Sequence, residues 1–258
     1  MNKLYKYVFI ACFSMVYICA VYYSMPISEL FYGVACCSIS PEYLPVIASP
    51  PYIIAIDPGH GGTDTGALAI VPEYQVINTT AAHLYRLLEA DSDYIPVYTR
   101  TESDPSSDAR AHTVNSAGAH LLISIHANSD SARSAHGFEC FPTPPGRTHH
   151  ADSLTLATLI AREMKNAGHT LRGGEEKTGI KYAYYYGDNK KIVDSTDTTV
   201  RSRQSFGILE KSNCPAVLVE QCFVTNHSDV ATWASPDGCQ KAAEIYYSAI
   251  EKYFQKNF

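Results

Sequence analysis

YIIAIDPGHGG (residues 52–62) decides the fold of this chain. Its first half, YIIAID, is apolar and β-branched without alternation, the pattern of a strand buried on both faces. Pro58 and Gly59 then stop the strand, and the glycines of PGHGG permit a tight turn or a close backbone approach. A histidine, His60, therefore stands just beyond the carboxyl end of a buried strand. Working outward, the stretch 73–90 carries Val76, Ala81, Leu84 and Leu88 at helical spacing. IPVYTR (95–100) reads as a strand, 108–118 as a short helix, and LLISIHA (121–127) as a second buried strand. GFECF (137–141) is a strand, and 153–166 a helix with Leu156, Leu159, Ile160 and Met164 on one face. FGILE (206–210) and AVLVEQCF (216–223) read as strands, and Gln240 to Phe254 as a final helix turning Ile245, Ala249 and Ile250 inward. Strands alternating with helices imply an α/β fold with a mostly parallel, twisted sheet flanked by helices. In such sheets functional groups gather beyond the carboxyl ends of the strands.

The rest of the chain bounds this reading. Its 258 residues suit one domain with an appendage, and the net charge of −6 without a basic stretch argues against a nucleic-acid partner. Residues 1–25 open with Lys3 and Lys6, followed by an uncharged run from Tyr7 to Met25. Positive charge before an apolar run is the export orientation, and the run exceeds the ~7–15 apolar residues of a cleavable signal. Export to the periplasm or cell envelope is expected, with residues 7–25 either kept as an inner-membrane anchor or removed by cleavage before Cys36. Residues 26–50, holding Pro26, Pro41, Pro45 and Pro50, read as a linker, and 51–258 as the catalytic domain. Of eight cysteines, Cys140, Cys214, Cys222 and Cys239 belong to that domain. They allow three disulfide pairings or four free thiols. Cys214 and Cys222 bracket a strand and are too far apart to bond directly.

Three strand ends carry the chemistry. YIIAID leads to His60, LLISIHA contains His126, and AVLVEQ contains Glu220, while Glu73 opens the helix after the first loop. Two histidines and one carboxylate around an open position are a common ligand set for hydrolytic zinc. The remaining carboxylate is then free to carry a proton. An acid inside VLVEQCF is otherwise an unpaired charge in a buried strand. His83, His112, His120, His136, His149, His150, His169 and His227 are scattered and weaker as ligands.

IAIDPGHGGTDTGA (54–67), SIHANS (124–129) and PAVLVEQCFVTNHSD (215–229) resemble the signature blocks of the zinc-dependent N-acetylmuramoyl-L-alanine amidases, the amidase-3 family. The likeness extends over roughly 52–255. It implies a sheet of about six strands flanked by helices, similar to zinc carboxypeptidases. Position by position it implies His60, Glu73 and His126 as zinc ligands and Glu220 as the catalytic glutamate. Asn128 and Asp64 are expected to orient ligands, and Arg110 to pack or form a salt bridge. Cys222 stands where the family usually has glycine, and its strand parity with Glu220 predicts that it lines the site. The segment 167–205 exceeds the minimal family core and reads as a surface or groove loop.

The resemblance implies a peptidoglycan hydrolase that cuts the amide between N-acetylmuramic acid and L-alanine. Its substrate partner is peptidoglycan, the membrane is a partner through residues 7–25 if these are retained, and a protein activator is a further candidate. The rival readings are a zinc peptidase acting on stem-peptide bonds and an inactive wall-binding or regulatory protein.

Overall fold

A computed structural model describes residues 49–100, 106–173 and 177–256. The predicted anchor and nearly all of the linker lie outside the described residues, within which no helix is long and apolar enough to cross a membrane. In chain order the elements are β1 (Tyr52–Pro58), α1 (Glu73–Glu89), β2 (Tyr94–Tyr98), α2 (Ser107–Ser116), β3 (Leu121–Asn128), β4 (Glu139–Pro142) and α3 (His150–Asn166). Then come β5 (Lys181–Tyr186), β6 (Asn189–Asp194), α4 (Gly207–Lys211), β7 (Ala216–Phe223), short helical turns over 227–234, and α5 (Pro236–Lys256).

The central sheet runs β2-β1-β3-β7-β4. Its first four strands are parallel, and β4 joins β7 antiparallel. Because β1, β3 and β7 are covered on both faces, their alternate residues enter two different cores. Ile54, Ile56, Ile123, Ile125, Val217 and Val219 pack with Leu84, Leu88, Ile160, Met164, Tyr246 and Ile250 of α1, α3 and α5. On the opposite face Ala55, Leu122 and Leu218 meet Val114 of α2 and Ile208 and Leu209 of α4. Burying such side chains stabilises the fold by about 1.5–3 kcal/mol each before entropy is counted. The N-terminus of α2 is capped by Ser106, whose hydroxyl accepts from the Ala109 amide at 3.1 Å.

Three expectations are corrected. Among the described residues the central sheet has five strands rather than about six, and FGILE forms helix α4 instead of a strand. The edge of β7 is taken by β4, so FGILE has no ladder to join and closes its own hydrogen bonds while Ile208 and Leu209 both enter the core. Within the predicted loop of 167–205, β5 and β6 pair as an antiparallel hairpin around Gly187-Asp188. Gly187 has φ 62°, the left-handed turn geometry for which a Gly-Asp pair between two strands is a sequence signal. Cys140, Cys214, Cys222 and Cys239 are free and buried.

Candidate metal centre and cleft

At the carboxyl ends of β1 and β3 the chain makes two close approaches that require glycine. A Cβ on Gly59 would come within 2.1–2.6 Å of the His126 ring, and one on Gly66 (φ 63°) within 2.5 Å of a Glu73 oxygen. These gaps let the β1–α1 loop fold back over the strand ends and carry His60, itself at φ 58°, against Glu73. Glu73 is the first residue of α1 and is buried. One of its oxygens accepts from the Ala67 amide at 2.9 Å and the other from the Ala127 amide at 3.0 Å. The helix start and the end of β3 together aim the carboxylate.

His60 Nε2 lies 3.0 Å from Glu73 Oε1, and His126 Nδ1 lies 3.2 Å from His60 Nε2 and 3.3 Å from the same Glu73 oxygen. The sequence-predicted trio is thus brought together at one point. Asp64 Oδ2 accepts from His60 Nδ1 at 2.8 Å, which leaves the Nε2 lone pair facing the cluster. Asp64 therefore stands where the sequence expected it. Three electron-pair donors within about hydrogen-bonding distance of each other, two imidazoles and a carboxylate, match the set that zinc takes. Protonated at both ring nitrogens, His60 donates to Glu73 as well as to Asp64. The hydrogen bond to Glu73, opposed by burial and helped by Asp64, pushes His60 up to about 9. Burial acts to raise Glu73, but its bonds to His126, His60 and the two amides outweigh it and hold the carboxyl well below the usual range.

Glu220 is the register partner of His126 across β3 and β7. It faces a cleft of about 360 Å³ lined also by His60, Glu73, His126, Arg110, Lys190 and Phe206. Burial, followed by the charge of Glu73, pushes Glu220 up to about 8. A carboxyl that exchanges its proton near neutrality suits general acid–base chemistry.

Cys222 does not line this cleft. The register moves from His126–Glu220 to Asn128–Phe223, so β7 holds one extra residue. Such a bulge reverses the alternation of side chains, and Cys222 enters the core beneath α1 and α5. Asn128 does not orient a ligand either: its Nδ2 donates to Glu139 at 3.1 Å. None of the other described histidines joins the trio. Arg110 forms the expected salt bridge, to Asp57 at 2.8 Å.

Two buried acids beside the site had no assigned role in the sequence reading. Asp57 accepts from Arg110, from Ser124 Oγ at 2.6 Å and from Thr99 Oγ1 beneath the His60 loop. Glu139, the register partner of Glu220 on β4, is bound by Arg172 and by Lys181 Nζ at 2.6 Å. The signal was present, since both are acids at or within buried strands, the same argument that singled out Glu220.

The fold and the site define a class: a three-layer α/β protein whose strand ends bring together two histidines and a glutamate that could hold a metal ion, next to a further carboxyl, Glu220. The family model described as N-acetylmuramoyl-L-alanine amidase, Amidase_3, matches residues 54–252, and the chain belongs to that family. An uncharacterised cell wall amidase of Bacillus anthracis is 29% identical over 214 residues, covering 78% of this chain and 35% of the relative. A putative N-acetylmuramoyl-L-alanine amidase of Buchnera aphidicola is 27% identical, covering 78% of this chain and 95% of the relative. The chain thus spans about a third of the first relative's length and nearly all of the second's. Among solved structures, the Clostridioides difficile CwlD amidase, in complex with the GerS lipoprotein, superposes with a TM-score of 0.61. It is 23% identical, with 80% of this chain and 99% of that one covered, a likeness in fold.

Proposed function

We propose that this chain is an exported peptidoglycan hydrolase that cleaves the amide between N-acetylmuramic acid and L-alanine, with zinc held by His60, Glu73 and His126. The observation that carries the reading is the convergence of those three donors at the floor of a cleft that also contains Glu220. Zinc bound there supplies a Lewis acid that acidifies water and polarises the scissile carbonyl. The residues of the chain do the remainder. Asp64 holds the His60 ring in its donor orientation, and the Ala67 and Ala127 amides hold Glu73. Glu220 takes a proton from the attacking water and returns it to the departing alanine nitrogen. Residues 7–25 serve export and, if retained, hold the enzyme at the inner membrane facing its substrate. A protein activator is compatible with the fold neighbour that was solved with a lipoprotein.

The test is digestion of purified sacculi by the zinc-loaded protein, with mass spectrometry of the soluble products. The expected products are intact stem peptides beginning with free L-alanine, lost on chelation. Glu220→Ala keeps stoichiometric zinc and loses turnover by about 10²–10⁴-fold, whereas His126→Ala loses both. Shortened stems still joined to muramic acid would make the protein a peptidase. A folded, zinc-loaded protein that releases nothing would make it a binding or regulatory protein.

A further inference from the structure

The β5–β6 hairpin is a separate two-stranded sheet, and Ile180, just before β5, bridges to Cys140 of β4. Paired residues share a face and successive pairs alternate, so Lys181 with Asp194, Ala183 with Ile192, and Tyr185 with Lys190 lie on one side. On this side three residues reach the body of the protein, although Ile192 is exposed and Tyr182 and Tyr184 of the other side are buried as well. Lys181 binds Glu139, Ala183 joins the core with Phe141, and the Tyr185 ring meets Phe206 edge-on at 6.0 Å. Lys190, the last of the set, reaches the cleft that holds Glu220, His60 and His126. Its Nζ stands 5.5 Å from the centre of the Phe206 ring.

Arg110, the other cation on the cleft wall, is bound to Asp57, and Lys181 to Glu139. Lys190, by contrast, forms no ion pair or hydrogen bond with a carboxylate of the described residues, Glu220 included. An ammonium on a flexible stem over an aromatic wall, beside the proposed reaction centre, is a ready receiver for an anionic group of the substrate.

We propose that Lys190 receives a free carboxylate of the stem peptide, so that the hairpin makes the cleft selective for anionic over amidated stems. This rests on the amidase reading above. In the stem, the residue after the released alanine is a glutamate joined through its side chain, which leaves its α-carboxyl either free or amidated. An extended residue advances about 3.5 Å, so that group remains within reach of the cleft when the muramyl–alanine amide is at the trio.

The experiment uses the zinc-loaded full chain and two soluble substrates, muramyl-L-alanyl-D-isoglutamate and its isoglutamine counterpart. We expect the wild type to favour the carboxylate substrate by roughly tenfold or more in kcat/KM, as for a hydrogen bond to a charged group. Lys190→Ala brings that ratio close to one through a higher KM for the anionic substrate, and Lys190→Arg restores most of it. If the alanine variant does not fold, Lys190→Gln, which removes only the charge, is read in the same way. An unchanged ratio in the neutral variants overturns the proposal. So does an equal fall of kcat on both substrates, which would mean that Lys190 acts through Glu220. Failure of the wild type to release muramic acid from either substrate overturns the amidase reading, and this inference with it.

Discussion

Replacing Arg110 with alanine isolates the energetics beneath the site. Asp57 is fully buried, and its carboxylate accepts Arg110 Nη1 at 2.8 and 3.0 Å and Ser124 Oγ at 2.6 Å, with Thr99 Oγ1 as the remaining donor. Removing the guanidinium leaves Asp57 with two neutral hydroxyls and only the charge of Arg100, which makes no hydrogen bond to it, as compensation. Breaking a buried pair in this way costs about 3–5 kcal/mol, a large part of the ~5–15 kcal/mol that holds a typical domain folded. At roughly 2–4 °C per kcal/mol for a domain of this size, Tm should fall by about 6–20 °C. Asp57→Asn should cost less, because it removes the fully buried charge while the new amide oxygen can still accept from Arg110. The double variant Asp57→Asn/Arg110→Ala should lose less than the sum of the two, with a coupling of about 1–3 kcal/mol. Equilibrium urea unfolding in the presence of a chelator provides the assay, since bound metal would otherwise add its own stabilisation. An Arg110→Ala cost below about 1 kcal/mol, or strict additivity in the cycle, would refute the claim that the pair matters as a buried, mutually compensated unit.

Asp64→Asn weakens the hold on the His60 ring, because the amide can present its NH₂ to Nδ1 and favour the wrong tautomer. Zinc affinity should fall about 10–100-fold in competition with a chromogenic chelator, as for other outer-shell partners; unchanged affinity would show that the loop positions His60 without Asp64. The His169 ring is buried against Trp233 at 4.2 Å, and Nε2 donates to the Gln221 carbonyl at 2.8 Å. Burial leads this environment and lowers its pKa from the ordinary 6.5. Because the folded state resists the proton, the contribution of His169 to stability is complete above pH 6.5 and is lost as pH falls toward and through the folded pKa. The stability difference between wild type and His169→Asn should therefore shrink by up to about 1.4 kcal/mol per pH unit below 6.5; a pH-independent difference would contradict it.

Most elements of the central sheet and its main helices, and the residues of the trio, were legible before any coordinates. YIIAID, LLISIHA and AVLVEQCF are buried-strand runs whose ends carry His60, His126 and Glu220, and α1 begins at Glu73 as its apolar spacing and the family resemblance implied. These are local properties, since a run's periodicity and its terminating residues lie within about a dozen positions. FGILE shows the limit. Five residues with adjacent apolar side chains suit a strand or one helical turn, and the choice fell to the occupancy of the β7 edge, which belongs to β4 more than sixty residues earlier. The hairpin was partly readable from Gly187-Asp188, but its docking against Glu139 and Phe206, which brings Lys190 into the cleft, depends on long-range packing. Cys222 was misplaced because one extra residue in β7, visible only through its pairing with β3, reverses every side chain beyond it. Glu139 and Asp57 could be recognised as buried acids, but their partners Arg172, Lys181 and Arg110 come from other elements. Charge compensation is a property of the folded neighbourhood, and a linear pattern carries the need for it without naming who supplies it.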